Sequence, residues 1–207
     1  MPRLRREMIE GGLYHVYNRF ARGEDVFADT EEAIVFVDRL YQTKARDGFS
    51  VLAWALMSNH FHMAVRTSAV PLSRTMHYLQ NGFSRSFNRR WGRTGPLWQS
   101  RYKAKLIHDQ DYLVRIITYI HLNPVRAGLA EKPADYVFSG HRELMGKIRS
   151  PLCDVDEALM VFGGTTKAAR RSYVGDLKQA MKEDGLGDKV DALPWWTRDR
   201  RLEVDPD

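Results

Sequence analysis

Cysteine is almost absent from the 207-residue chain, and so are apolar runs long enough to cross a bilayer. The single cysteine, Cys153, excludes an internal disulfide framework and any zinc module built on several cysteines. No segment approaches the roughly 18 consecutive apolar residues of a transmembrane helix. The arginine-rich start lacks the apolar stretch of a secretory signal. We therefore expect a soluble cytoplasmic protein with no membrane partner.

Acidic side chains are missing from Gly48 to His108, where nine lysines and arginines occur. Aromatic residues such as Trp91, Trp98 and Tyr102 lie among these cations. Judged on charge alone, the segment could equally be a basic face that is solvated and binds no partner. Because carboxylates repel phosphate, their absence favours a polyanionic partner, and a basic segment with interleaved aromatics is typical of a nucleic-acid surface.

The hydrophobic pattern alternates strands and helices in the order β-α-β-β-α-β-α. The predicted strands span residues 13–19, 49–57, 60–66 and 97–107. The predicted helices have Thr30 as N-cap, Pro71 at their start and Asp109 as N-cap. The third is expected to end at Asn123, because the residue before Pro124 is pushed away from helical geometry. This order predicts an α+β domain, with an antiparallel sheet covered by helices on one face.

The last third of the chain has mixed charge and a different pattern. Helices are predicted over residues 155–162 and 166–182, followed by a polar tail that contains Trp195 and Trp196. We therefore divide the chain into a domain of residues 1–140 and a helical extension with a polar tail, residues 141–207.

His60 and His62 lie two residues apart on a predicted strand, so both imidazoles project from one face while Phe61 points to the other. Paired histidines on a strand can be hydrogen-bonded surface residues. This strand is otherwise apolar, which gives little reason for two polar rings unless they line a site. Two imidazoles hold Mg²⁺ or Mn²⁺ weakly, so a third ligand and a phosphate oxygen would have to complete the shell.

Nine tyrosines are present, and residue chemistry alone does not choose a nucleophile among them. Tyr119 and Asn123 lie one turn apart on the predicted third helix, so they can present a hydroxyl and an amide to the same point. A tyrosine with a pKa near ~10 attacks poorly at neutral pH and needs a nearby cation. Tyr119 could equally be a core residue of an amphipathic helix.

Several segments together resemble the REP-associated tyrosine transposases, which belong to the HUH (His-hydrophobic-His) single-tyrosine transposases. The resemblance covers roughly residues 10–140 and follows these segments in order: Tyr14-His-Val, Ala55-Leu-Met-Ser-Asn-His-Phe-His-Met63, Ser84-Arg-Ser-Phe-Asn-Arg-Arg90, Gly95-Pro-Leu-Trp-Gln-Ser-Arg-Tyr-Lys103 and Tyr119-Ile-His-Leu-Asn-Pro-Val-Arg-Ala-Gly-Leu129. It implies a ferredoxin-like or RRM-like α+β sandwich.

The resemblance also implies roles for individual residues. His60 and His62 match the family's metal ligands, and the metal would be Mg²⁺ or Mn²⁺. Tyr119 matches the tyrosine that attacks a single-stranded DNA phosphodiester and leaves a 5′-phosphotyrosine and a free 3′-hydroxyl. Asn123 matches a polar residue that can complete the metal shell, a glutamine in more distant members. Phe20 departs from the family, where glycine is common after Asn-Arg.

The expected partner is single-stranded or hairpin DNA, which would associate the protein with the nucleoid. A homodimer is a second expected assembly. Basic residues of the second helix and of the strand after it are the expected DNA contacts: Arg74, Arg85, Arg89, Arg90, Arg101, Lys103 and Lys105. A non-catalytic nucleic-acid binder or repressor on the same fold stays open as an alternative. A relaxase or rolling-circle initiator is a third hypothesis, though those proteins generally have other motif orders and longer chains.

Overall fold

A computed structural model describes residues 9–185. Within this range four strands and six α-helices follow one another, joined by loops and 3₁₀ turns. The strands are β1 (Leu13–Arg19), β2 (Ser50–Leu56), β3 (His60–Arg66) and β4 (Lys103–Leu106). The helices are α1 (Thr30–Asp47), α2 (Leu72–Arg90), α3 (Gln110–Arg126), α4 (His141–Leu144), α5 (Val155–Met160) and α6 (Thr166–Glu183). Within the described residues, no helix combines the length and apolar character needed to cross a membrane.

The four strands form one antiparallel sheet in the order β2-β3-β1-β4. The central pair, β1 and β3, is in register with Tyr17 opposite His62 and Arg19 opposite His60. Facing residues of an antiparallel pair project from the same side of the sheet. The register therefore places Tyr17 beside His62.

The two faces of the sheet carry different layers. Phe61 is fully buried and its ring lies 5.3 Å from that of Phe36 in α1. His62, the next residue, faces the opposite way, and its ring lies 5.5 Å from that of Tyr119 in α3. The predicted α+β class is confirmed: α1 and α2 cover one face, as expected. The third helix adds a layer on the other face, where its apolar side is buried.

The N-cap of the first helix lies one residue earlier than predicted, so the helix begins at Thr30 itself. Asp29, rather than Thr30, is the N-cap, and its Oδ1 accepts a hydrogen bond from the backbone N–H of Glu31 at 2.8 Å. A carboxylate at this position also interacts favourably with the positive end of the helix dipole. The helix ends at Asp47, and Gly48 adopts the left-handed conformation that such a terminus favours.

The strand predicted over residues 97–107 is shorter than expected. Only Lys103–Leu106 forms β4, and residues 97–102 run as a loop with a single bridge between Trp98 and Phe20. Trp98 stacks on Phe20 with ring centroids 4.4 Å apart, and backbone hydrogen bonds from Ala21 to Leu97 and from Gln99 to Arg19 hold the segment at the end of β1.

The third helix continues beyond the end predicted for it. Asp109 caps it as expected, its Oδ1 accepting from the N–H of Tyr112 at 2.7 Å. Pro124 lies inside the helix, which runs on to Arg126. A proline in the last turn loses only its own N–H bond to the carbonyl four residues before it, and burial of Val125 favours the extra turn. Arg126 consequently shares a helix face with Tyr119.

The C-terminal helices predicted from the sequence are present, as α5 and α6, and α6 packs on α3. Tyr173 of α6 is fully buried, and its hydroxyl contacts Nδ1 of His121 in α3 at 2.8 Å. The extension is thus joined to the back of the helix that carries Tyr119. Trp195 and Trp196 lie outside the described residues.

Candidate active site

The four predicted catalytic and metal residues meet at one cleft. His60, His62, Tyr119 and Asn123 all line a cavity of about 500 Å³ between β3 and α3. The two imidazole centroids are 5.0 Å apart. Strand alternation brings the histidines to one face, and the helical repeat brings the tyrosine and the asparagine to another. The packing of α3 on the sheet turns these two faces toward each other.

Hydrogen bonds hold both imidazoles through the same ring atom. Nδ1 of His60 lies 2.7 Å from Oδ1 of Asn59, and Nδ1 of His62 lies 3.0 Å from Nε2 of the buried His15. An amide oxygen only accepts, so the Nδ1 of His60 carries the proton. In His60, Nε2 is then the atom that would bind a metal, and in His62 the contact of Nδ1 with His15 leaves Nε2 for the same task.

Burial keeps these imidazoles neutral. Burial, together with the charge of Arg19, lowers the pKa of His60 to about 4. Burial also lowers the pKa of His62 well below its ordinary value, as do the neighbouring His15 and His60. A metal binds an imidazole only when the imidazole is unprotonated. Both histidines are neutral at pH 7 and can therefore act as metal ligands.

The donor set around the cleft is small. Residues 9–185 contain no group of three or more histidine, cysteine, aspartate or glutamate side chains placed to hold a metal. The amide of Asn123 is the candidate for a third protein donor that shares a helix with Tyr119, and its Nδ2 is buried without a hydrogen-bond partner among the described residues. Rotation of that amide would present its oxygen instead. Two imidazoles and one amide oxygen fit a divalent ion whose remaining ligands come from a substrate.

Tyr119 is 3% exposed and lies against this pair. Burial raises the pKa of its phenol, while the Asn123 amide and the charge of Arg126 act in the opposite direction. The phenol is therefore protonated at neutral pH. Attack by its oxygen requires positive charge near the reacting atoms, since that stabilises the phenolate.

The wall of the cleft supplies cations. Arg19, Lys103 and Arg126 line it together with Tyr17 and Gln99. None of the described residues that line it is an aspartate or a glutamate. The cleft can therefore accept an anion such as a phosphodiester without carboxylate repulsion.

A second, larger cleft adjoins the first. It encloses about 810 Å³ between α2 and the loop of residues 95–102, and Ser100 lines both clefts. The loop is held to β1 because Nδ2 of Asn18 donates to the carbonyl of Ser100 at 3.0 Å. Its walls combine amides (Gln80, Asn81), aromatic rings and cations, again with no acidic residue in the described lining. An extended polyanion could pass from one cleft to the other across Ser100.

The predicted DNA-contact residues are distributed over several surfaces. Arg85 and Arg101 line the larger cleft, and Lys103 lines the smaller. Lys105 is half-buried next to His15 in the strand pairing of β4 with β1. Two other exposed arginines of α2, Arg74 and Arg89, line neither cleft. Arg90 forms an ion pair with Glu31 of α1.

Sequence reasoning missed three residues of this region: His15, Arg19 and Arg126. His15 lies in the predicted first strand, where its place two residues before Tyr17 puts both on one face. That spacing was the available signal. Arg126 was missed because Pro124 predicts an earlier end of α3. A count of seven residues from Tyr119 would have placed Arg126 two turns along the same face.

Comparisons with known proteins identify similar sequences and a similar fold. Residues 10–123 match the family model described as transposase IS200-like. A Haemophilus influenzae protein described as a putative REP-associated tyrosine transposase is 26% identical over 160 residues, which is 72% of this chain and 90% of that protein. A solved REP-associated tyrosine transposase bound to a REP hairpin matches with a TM-score of 0.60 at 20% identity, over 75% of this chain and 93% of that one. At that identity the match shows the fold.

Proposed function

The chain belongs to the IS200-like transposase family, and on that premise we propose that it cleaves and rejoins single-stranded DNA through a covalent 5′-phosphotyrosine on Tyr119. The observation that supports this most is the convergence of Tyr119, His60, His62 and Asn123 on one cleft that has cations but no carboxylate in its described lining. The substrate would be a strand at or near a palindromic-repeat hairpin, since the solved relative is bound to a REP hairpin.

In the proposed step the Tyr119 oxygen bonds to the scissile phosphorus while the bond from phosphorus to the 3′ oxygen breaks. The phenol proton passes to solvent, and the departing 3′ oxygen takes up a proton to become a hydroxyl. The 5′ end of the other fragment stays on the protein as a phosphodiester. A second 3′-hydroxyl can reverse the step on another strand, so no external energy source is consumed.

Side chains of the cleft make this attack possible. Burial of Tyr119 excludes competing water, and Lys103 and Arg19 on the wall attract the phosphate and oppose the build-up of negative charge. His60, His62 and Asn123 would hold Mg²⁺ or Mn²⁺. That ion, when bound, supplies Lewis-acid polarisation of the phosphate. The contacts of Asn59 and His15 orient the two imidazoles for this task.

The DNA strand would run from the catalytic cleft into the larger cleft on α2. Arg85 and Arg101 there are placed for backbone phosphates. Residues 1–140 form the catalytic domain in this proposal. Residues 141–207 form an extension whose described part, up to residue 185, supports α3 from behind.

The test is covalent capture. The protein is incubated with Mg²⁺ or Mn²⁺ and a labelled oligonucleotide that contains a palindromic hairpin and its adjacent single strand, taken from DNA flanking the gene. A denaturation-resistant adduct bearing the 5′ end of the downstream fragment is expected, while the same sequence as a blunt duplex gives none. Tight binding without any adduct would instead indicate a non-catalytic binder, and Tyr119→Phe that still forms the adduct would refute Tyr119 as nucleophile.

A further inference from the structure

The last turn of α3 places a guanidinium beside the proposed nucleophile. The Cζ atom of Arg126 lies 5.1 Å from the ring centroid of Tyr119, within the range of a cation–π contact. Asn123 follows Tyr119 by four residues, and Arg126 follows Asn123 by three. The three side chains therefore share one helical face. Arg126 lines the same cleft as His60 and His62.

An acid from the C-terminal extension holds this guanidinium. Nε and Nη2 of Arg126 both donate to Oδ2 of Asp184, the former at 2.8 Å. The two side chains are only 17% and 24% exposed, so water screens the pair poorly. Asp184 is the C-cap of α6, where the helix dipole disfavours a negative charge. The ion pair with Arg126 compensates for that unfavourable location.

One N–H donor of Arg126 has no acceptor in the part of the chain that the structure describes. Its Nη1 is buried and lacks a hydrogen-bond partner among the described residues. A buried donor of a charged group is costly to leave unpaired, and such groups normally have an acceptor. Asp184 occupies the other side of the guanidinium, and the described lining of the cleft offers no second carboxylate. The missing acceptor is therefore expected from an anion that enters the cleft.

We propose that Arg126 is a further catalytic residue, which donates from Nη1 to a non-bridging oxygen of the scissile phosphate, and that Asp184 is its positioning residue. This rests on the proposed strand cleavage at Tyr119. A guanidinium suits the task because its planar fork can keep Asp184 on one edge and bind phosphate on another, which an ammonium group cannot do with fixed geometry. The C-terminal extension then contributes directly to the active site.

The first test separates rate from binding. Single-turnover adduct formation is measured at several oligonucleotide concentrations for the wild type, Arg126→Ala, Arg126→Lys and Asp184→Asn. Loss of one donor to the transition state should lower the saturating rate of Arg126→Ala about 100-fold, with a much smaller change in half-saturation. Asp184→Asn should lower it about 10-fold, as expected for a group that orients another. Arg126→Lys should recover part of the rate.

Arg115 provides the matched control. It lies on the same helix, with its Cζ 5.8 Å from the ring centroid of Tyr112, but it is exposed and does not line the cleft. Arg115→Ala should keep the wild-type rate. An Arg126→Ala rate equal to that of Arg115→Ala would overturn the proposal. If Arg126→Ala does not fold by circular dichroism, the rates of Arg126→Lys and Asp184→Asn decide the question by the same criterion.

A second measurement does not depend on DNA cleavage. Inorganic phosphate is titrated into the wild-type protein and the variants, and binding is followed by NMR shifts of the arginine side-chain N–H groups. The wild type should bind phosphate saturably, and Arg126→Ala should bind it about tenfold more weakly, while Arg115→Ala binds as the wild type does. Equal affinities, or no saturable binding by the wild type, would overturn the phosphate contact. A wild type that binds phosphate at Arg126 but forms no DNA adduct would refute the proposed function and leave the anion site standing.

Discussion

The two faces of α3 carry similar residues in opposite settings. On the front, Tyr119 lies beside His62 at a cleft lined by cations. On the back, the Tyr173 hydroxyl lies 2.8 Å from Nδ1 of His121 and 2.7 Å from Nδ1 of His141, in a closed core. Both settings depress histidine pKa values by burial, to about 4 for His60 and about 4 for His141. Residue type and pKa therefore do not distinguish a reactive cluster from a structural one.

Access makes the difference. Tyr173 and His121 have no exposed surface, and the Tyr173 hydroxyl serves both imidazoles. The front cluster borders a cavity of about 500 Å³ that a phosphate can enter. We infer that the front supports chemistry and that the back attaches the C-terminal extension. Paired changes on the two faces test this division.

The largest expected effect is on the nucleophile. Tyr119→Phe keeps the ring that packs against His62 but removes the attacking oxygen, so adduct formation should fall by at least about 10³-fold. Its free energy of unfolding should change little by comparison. Denaturing gels measure the first quantity and urea unfolding the second. Adduct retained by Tyr119→Phe would abolish the distinction between the two faces.

The next effect concerns the metal pair. His60→Ala removes one of two imidazole donors and should raise the Mn²⁺ concentration needed for half-maximal cleavage by about 10- to 100-fold. A chelator should stop cleavage by the wild type, and added Mn²⁺ should restore it. His108, an exposed histidine before α3, is the control, and His108→Ala should keep the wild-type metal dependence. An unchanged metal requirement in His60→Ala would contradict the ligand assignment.

A substitution on the back face of α3 should lower the free energy of unfolding and leave the rate of adduct formation unchanged. Tyr173→Phe removes the hydroxyl shared by His121 and His141 and leaves two buried imidazole nitrogens unpaired, which should cost about 1–3 kcal/mol of unfolding free energy. Urea unfolding measures the loss. Adduct formation below the unfolding transition should persist. A Tyr173→Phe protein of full stability and no activity would reverse the roles of the two clusters.

The pH dependence of stability tests the same cluster. The pKa of His141 is about 4 in the folded state, depressed from 6.5, so between these values the unfolded chain binds more protons. Its contribution to stability is present above pH 6.5 and is lost as the pH falls toward 4. Protonation of this one histidine should account for about 1–2 kcal/mol between pH 7.5 and 5. Urea unfolding at several pH values measures this, and His141→Gln should show a smaller loss over that interval.

The smallest effect is on DNA affinity. Arg85 lines the larger cleft, whereas Arg90, on the same helix, pairs with Glu31. Arg85→Ala should weaken binding of single-stranded DNA severalfold and reduce the slope of log affinity against log salt by about 1. Arg90→Ala should alter neither quantity appreciably. Fluorescence anisotropy at several salt concentrations measures both, and equal losses in the two variants would show that the larger cleft is not the DNA path.

Local patterns made much of the fold predictable. The predicted strand over residues 60–66 and the predicted N-cap at Asp109 agree with the structure, because alternation and capping depend on near neighbours in the chain. The failures also have local causes. The strand predicted over residues 97–107 is interrupted between the bridge at Trp98 and the start of β4 at Lys103, and Pro124 did not stop α3 because packing of the last turn outweighed one missing hydrogen bond.

The sequence alone determined that His60 and His62 share a face, that Tyr119 and Asn123 share another, and that an acid-free basic segment surrounds the pair. Each of these depends on the period of a strand or helix or on composition. Only the tertiary structure decided that the two faces meet, that His15 holds His62, and that Asp184 holds Arg126. The two hydrogen-bonded pairs join residues 47 and 58 positions apart. No local repeat encodes such contacts, since they follow from how the whole core packs.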